Sequence, residues 1–168
     1  MRGWRRDMLF EDTGLPWVAP SPNMPTTNTA RVYGATCLLE GTNCSEGRGT
    51  TLPFEVFGAP WVDAYALAER LNARRMPGVT FRGTSFTPTF SKHADKPCEG
   101  AQLHITDYEE FAGVRCGVEI LRALVTLRHH PGNLKQPIGE STLPVIDMRD
   151  DRKVSNVVLR LRRQQIRP

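Results

Sequence analysis

Trp61, Ala64, Tyr65, Ala68 and Leu71 recur at spacings of three and four and predict an amphipathic helix over residues 61–74, with Glu69, Arg70, Arg74 and Arg75 solvated and Pro77-Gly78 as the stop. Val79-Thr80-Phe81-Arg82-Gly83 and Ala101-Gln102-Leu103-His104-Ile105-Thr106 alternate with period two and predict strands joined by a long loop over residues 85–100. A second helix is expected from Asp107, with Glu110 closing a capping box. Its core face is Val118, Leu121, Leu124, Val125 and Leu127, and Gly113 and Gly117 weaken its early turns. Earlier, Thr29-Ala30-Arg31-Val32-Tyr33 reads as a short helix ended by Gly34, and Cys37-Leu38-Leu39 as a buried strand or half-turn. Together these predict an α+β fold: a small mixed sheet, packed helices and long Pro/Gly-rich loops.

The polar stretch Gly41-Thr42-Asn43-Cys44-Ser45-Glu46-Gly47-Arg48-Gly49-Thr50-Thr51 interrupts the apolar pattern and holds no large apolar side chain. Such a segment enters a core only if nearly every group finds a partner. Its glycines permit positive φ or a close approach by a ligand or another backbone. Stiff arms flank it: Pro16, Pro20, Pro22 and Pro25 fix φ on one side, and residues 53–61 carry Pro53, Pro60 and three aromatics on the other. Either a surface turn or a braced ligand-binding loop satisfies this pattern.

Composition narrows the partners. The chain has 168 residues, 39% hydrophobic and 24% charged, with 14 Gly and 13 Pro, which suits one domain rich in turns. The net charge of +4 gathers at Arg2, Arg5 and Arg6 and again between Arg149 and Arg167, rather than across the body, so no nucleic-acid partner is expected. No run approaches the roughly 18 apolar residues of a membrane helix. Leu9-Phe10 is followed at once by Glu11-Asp12, so no signal region is read and a cytoplasmic chain is expected. Cys37, Cys44, Cys98 and Cys116 are few and widely spaced, and are read as free thiols.

Several motifs in order carry a resemblance. Gly14-Leu15-Pro16-Trp17-Val18-Ala19-Pro20-Ser21-Pro22-Asn23-Met24-Pro25-Thr26, Thr29-Ala30-Arg31-Val32-Tyr33, the whole stretch from Leu39 to Thr51, Pro53-Phe54-Glu55 and Gly58-Ala59-Pro60-Trp61 come first. Phe86-Thr87-Pro88-Thr89-Phe90-Ser91-Lys92, Cys98-Glu99-Gly100 and His104-Ile105-Thr106-Asp107 follow. Over about residues 10–134 the chain resembles the DUF1343 family, whose members include exo-acting β-N-acetylmuramidases of peptidoglycan recycling. The resemblance implies the C-terminal domain of a two-domain enzyme whose first domain is Rossmann-like, with the active site in the cleft between them. It divides the chain into a lead-in over residues 1–13, the domain over residues 14–134, and a divergent basic tail over residues 135–168. Trp4, Met8, Leu9 and Phe10 are then apolar side chains that faced the first domain.

The implied reaction is hydrolytic removal of a non-reducing terminal N-acetylmuramic acid from a peptidoglycan fragment, completed by an N-terminal domain that is separately encoded or missing. A non-catalytic glycan-binding module and an inactive remnant are the alternatives. Glycoside hydrolysis uses one carboxyl to protonate the leaving oxygen and a second to activate water or attack the anomeric carbon. Glu46 and Glu40 are the candidates for those roles, with Glu55 a third carboxylate nearby; Glu46 paired with Arg48 to pin the loop is the competing reading. Arg48 suits the planar lactyl carboxylate of muramic acid. Asn43, Ser45 and Thr42 suit sugar hydroxyls or the N-acetyl group. Trp17 suits an apolar sugar face, whereas Trp61 belongs to the helix stripe. Lys92 is a candidate anion contact, and His104, alternating with Leu103, can face the cleft. No HExxH, CxxC or phosphate-loop signature occurs, so neither metal nor cofactor is expected.

Overall fold

The computed structural model describes residues 3–128. Its elements are α1 (Thr27–Thr36), a 3-10 helix (Cys37–Gly41), β1 (Val56–Ala59), α2 (Ala64–Asn72), β2 (Val79–Phe86), β3 (Cys98–Ile105) and α3 (Gly113–Arg128), after a 3-10 turn at Phe10–Thr13. The class is α+β, as expected. Within the described residues the sheet is antiparallel throughout rather than mixed, with strand order β1-β3-β2. The tail read above over residues 135–168 lies outside the described residues.

β3 is central, and its neighbours cover it on both sides. The β2–β3 ladder runs from Val79↔Ile105 to Phe86↔Cys98, so the connecting loop is residues 87–97, shorter than expected. The ladder continues past Gly83, the last residue of the expected first strand, and takes in Gly100, expected in the loop, as Gly83↔Ala101 and Thr84↔Gly100. β1 was not expected at all. All four of its residues are buried, so it shows no alternation, and its Val-Phe-Gly-Ala run lies between prolines that suggested an extended arm. Gly58 of β1 sits opposite Gly100 of β3. A Cβ on Gly58 would lie 2.2 Å from the Glu99 carbonyl oxygen.

The helices lie where capping chemistry starts them. The Thr26 side chain accepts from the Thr29 amide at 3.1 Å, and the Asp63 side chain from the Ala66 amide at 2.9 Å. The Asp63 cap begins α2 at Ala64, three residues later than predicted. This places Ala64, Leu67, Ala68 and Leu71 on the core face and leaves Tyr65 85% exposed. Gly34 does not end α1, because its neighbours keep helical bonding through to Cys37. Asp107 accepts from the Glu109 and Glu110 amides in a turn, and α3 begins later, at Gly113. The buried face of α3 is Cys116, Ile120, Ala123 and Leu127, whereas Val118 and Val125 point outward. Gly117 does more than weaken a turn: a Cβ there would meet the Ala35 carbonyl oxygen at 2.3 Å, so its absence lets α3 lie directly on α1.

Two side chains tie the periphery down. Asn72, at the end of α2, donates from Nδ2 to the Phe81 carbonyl at 2.8 Å and accepts from the Phe81 amide at 2.9 Å. The carboxamide thus takes the place of a neighbouring strand on the outer edge of β2. Glu11 accepts from the Thr27 hydroxyl at 2.6 Å and pairs with Arg31, which lies over the Tyr108 ring. Its carboxyl is held below the usual range, chiefly by the Thr27 hydrogen bond. The segment read as a ragged lead-in is therefore fastened to α1, although Trp4 and Leu9 remain exposed.

These contacts make opposite predictions for two glycines. Gly34→Ala fills open space on a helix and should stabilise by about 0.5–1 kcal/mol. Gly58→Ala drives a methyl into the facing strand and should destabilise by about 1–3 kcal/mol. Urea unfolding of both variants measures the contrast, and equal shifts would contradict the strand contact.

Candidate functional site

The polar loop is built around the buried carboxylate of Glu46, whose side chain is 4% exposed. Its Oε2 receives Lys92 Nζ at 3.0 Å, and its Oε1 lies 3.3 Å from Arg48 Nε. Arg48 also pairs with Glu40, so four of the residues singled out in the sequence form one network. Arg48 Nε is buried and within ion-pair reach of Glu46 but is not aligned for a hydrogen bond. The guanidinium lies over the Phe54 ring, 5.2 Å from its centroid.

Lys92 does not face outward as an anion contact. Besides Glu46, its ammonium meets the carbonyl oxygens of Leu39 at 2.9 Å, Glu40 at 3.1 Å and Cys44 at 3.2 Å. Two of these carbonyls belong to the 3-10 helix Cys37–Gly41, and that of Leu39 also accepts from the Thr42 amide at 2.9 Å. Three protons shared among four oxygens leave the ammonium no capacity for a ligand. The loop that carries Lys92 is held in an unfavourable backbone shape, with positive φ at Ser91 (72°), His93 (59°) and Asp95 (59°). The ion pair and carbonyl contacts of Lys92 offset that cost.

Glycine is required at two positions here. Gly47 has φ 79° and Gly49 has φ 81°, and a Cβ on Gly49 would lie 2.7 Å from the Phe90 amide nitrogen. The Gly49 carbonyl instead accepts from the Thr89 amide at 2.9 Å and the Thr89 hydroxyl at 3.0 Å. Ser45 joins the loop to the sheet through paired backbone bonds with Gly58, at 2.8 and 3.0 Å.

The remaining expected contacts divide. The Ser45 hydroxyl accepts from the Gly47 amide at 3.1 Å, and the Thr42 hydroxyl donates to the Leu39 carbonyl at 2.8 Å while accepting from the Cys44 amide. Both shape the loop from within. Asn43 joins through its carbonyl, 2.6 Å from His93 Nε2, and His93 packs edge-on against Trp61 with centroids 5.1 Å apart. His93 was not singled out, and its only sequence signal is its place beside Lys92. Trp17 braces its own arm: its Nε1 donates to the Met24 carbonyl at 3.2 Å and its ring meets Phe10 edge-on. His104 pairs with Thr80, several residues along β3 from the Gly58–Gly100 contact where Ser45 attaches. Among the described residues, neither Trp17 nor His104 hydrogen-bonds to the network. Glu55 is taken up elsewhere, its Oε1 accepting from the Thr29 hydroxyl at 2.8 Å at the start of α1.

Burial pushes the Cys44 thiol up to about 11, against the pull of the nearby Lys92 ammonium, which disfavours the nucleophilic thiolate at neutral pH. Among the described residues, no group of three or more His, Cys, Asp or Glu is placed to hold a metal ion, and no helix is long and apolar enough to cross a membrane. Chemically, the network fixes one guanidinium and one carboxylate at the surface, with exposures of 36% and 38%, above a buried charge.

A family model described as exo-β-N-acetylmuramidase NamZ, C-terminal, matches residues 31–155, past the point near residue 134 where the sequence resemblance was drawn to a close. The corresponding N-terminal model matches residues 1–28, including the segment fastened to α1 by Glu11. The peptidoglycan β-N-acetylmuramidase NamZ of Bacillus subtilis (strain 168) is 54% identical over 124 residues, which cover 74% of this chain and 30% of that protein. A crystal structure of a DUF1343 family protein from Bacteroides fragilis NCTC 9343 superposes with a TM-score of 0.71 at 33% identity, over 76% of this chain and 33% of that one. The chain thus spans about a third of the length of the relatives it matches.

Removing one cation from Glu46 tests the network. Lys92→Met keeps the side-chain stem but leaves the buried carboxylate with Arg48 alone. The expected loss is about 2–3 kcal/mol, between the values for exposed and fully buried pairs because Lys92 is partly solvated. Adding Glu46→Gln should recover part of it, with a coupling of about 1–2 kcal/mol in a double-mutant cycle by urea unfolding. Strict additivity would show that the two side chains do not support each other.

Proposed function

Because the chain belongs to the exo-β-N-acetylmuramidase family, we propose that its described domain forms one wall of a glycan-binding cleft. A complementary N-terminal domain closes the other side, and the completed site removes a terminal N-acetylmuramic acid from peptidoglycan fragments by hydrolysis. The observation that carries this reading is the Glu46 network, which holds Arg48 and Glu40 at the surface on a loop within the matched region.

Of the two carboxylates expected to do the chemistry, Glu46 is better suited to positioning. A general acid must carry a proton and reach the leaving oxygen, but both Glu46 oxygens face cations and the side chain is 4% exposed. We therefore read Glu46 as the group that aims Arg48 and anchors Lys92. At least one of the two carboxyl roles then falls to the complementary domain. This chain supplies orientation, which counts because a reactant held in productive geometry needs less activation than one that must find it. Arg48, the Asn43 side chain and Glu40 are the groups we assign to the glycan-facing side.

A domain exchange tests this reading. In a chimera, the 124 matched residues of the Bacillus subtilis relative are replaced by those of this chain. The chimera should release chromophore from 4-nitrophenyl β-N-acetylmuramide, whereas the isolated chain should not. A folded but inactive chimera would sink the proposal, and turnover by the isolated chain would remove the need for a second domain.

A further inference from the structure

We propose that the outer edge of the Arg48 guanidinium is a carboxylate-binding site, that its ligand is the lactyl carboxylate of a muramic acid residue, and that Glu40 occupies it in the ligand-free chain. This rests on the glycan-cleft reading and adds what the cleft selects for.

The guanidinium is aimed from the inside. Nε lies 3.3 Å from the buried Oε1 of Glu46, and the group rests over Phe54, whose own peptide donates to the Glu46 carbonyl at 2.7 Å. Glu46 is fixed in turn by Lys92. None of these contacts depends on Glu40. Arg48 is therefore oriented before any outer partner binds, with an N–H edge turned to solvent.

Glu40 meets that edge as a ligand would. It stands at the exposed end of the 3-10 helix Cys37–Gly41, its side chain is 38% exposed, and its carboxylate pairs with an Arg48 terminal nitrogen. Its backbone carbonyl is held by Lys92, so the side chain can swing away without disturbing the loop. Ion pairs at this degree of exposure are held weakly. Exchanging one carboxylate for another preserves the charge balance around Arg48, whereas a neutral sugar would have to leave Glu40 in place. The arrangement thus favours an acidic glycan over its neutral counterpart, and Glu40 sets the threshold an incoming carboxylate must exceed.

N-acetylmuramic acid and N-acetylglucosamine, which lacks the lactyl group, provide the test. Each is titrated into the chain and into the chimera described above, following the Gly47 and Gly49 amide resonances. The native loop should bind the acidic sugar more tightly, with a preference that falls as salt is raised. Glu40→Gln removes the competing charge at nearly constant size. It should tighten the acidic sugar by up to roughly fivefold, and so widen its preference over the neutral sugar. Arg48→Gln should abolish the preference. Should that variant unfold, Arg48→Lys, which keeps the charge but loses the planar fork, should still lower the preference. Equal binding of both sugars by native and Glu40→Gln loops would overturn the carboxylate site while leaving the cleft standing. Failure of both sugars to bind to folded chain and chimera would overturn the cleft as well.

Discussion

A single buried carboxylate sets the terms for the surrounding loops. An ionised group withdrawn from water must recover its hydration from fixed partners, and Glu46 draws those partners from two separate stretches of chain. Lys92 arrives from the loop between β2 and β3, and Arg48 from two residues further on. The backbone accommodates both. Positive φ values at Gly47 and Gly49 bring Arg48 round, and those at Ser91, His93 and Asp95 turn Lys92 inward. The loop conformations follow from the charge placement, more than from any preference of their own residues.

The network is also coupled to the sheet. Ser45 bonds to Gly58, Gly58 abuts Gly100 of the central strand, and Gly49 receives Thr89 from the β2–β3 loop. A polar loop without large apolar side chains thus acquires the rigidity of the core through backbone contacts at glycines. This is a useful division of labour for a binding surface: the outer groups stay polar and available, while packing beneath them limits their motion.

Local chemistry was legible in the sequence where it is local. The glycines at positions 47 and 49, the nearness of Glu46 to Arg48 and the existence of β2 and β3 as strands follow from short-range pattern. The family resemblance brought the loop and its flanking motifs together. What escaped depends on distant partners. Nothing in Phe90-Ser91-Lys92-His93 indicates that Lys92 turns inward to carbonyls of residues 39, 40 and 44, because no periodicity connects a loop to a loop. β1 escaped because complete burial erases alternation. Tyr65 was placed in the core because it lies beside the true helix stripe, and only the Asp63 cap shows where that stripe begins. Trp17, read as free to stack on a sugar, has its indole N–H committed to Met24 seven residues away.

The carboxamide of Asn72 offers one more consequence, for how such a domain ages. It guards the outer edge of β2 by presenting both a donor and an acceptor to Phe81. Spontaneous hydrolysis of that amide would leave a carboxylate, which only accepts. The Phe81 carbonyl would then face a negative charge, and an unpaired strand edge would open to neighbouring molecules. The shelf life of the folded domain is thereby linked to the chemical lifetime of a single amide bond.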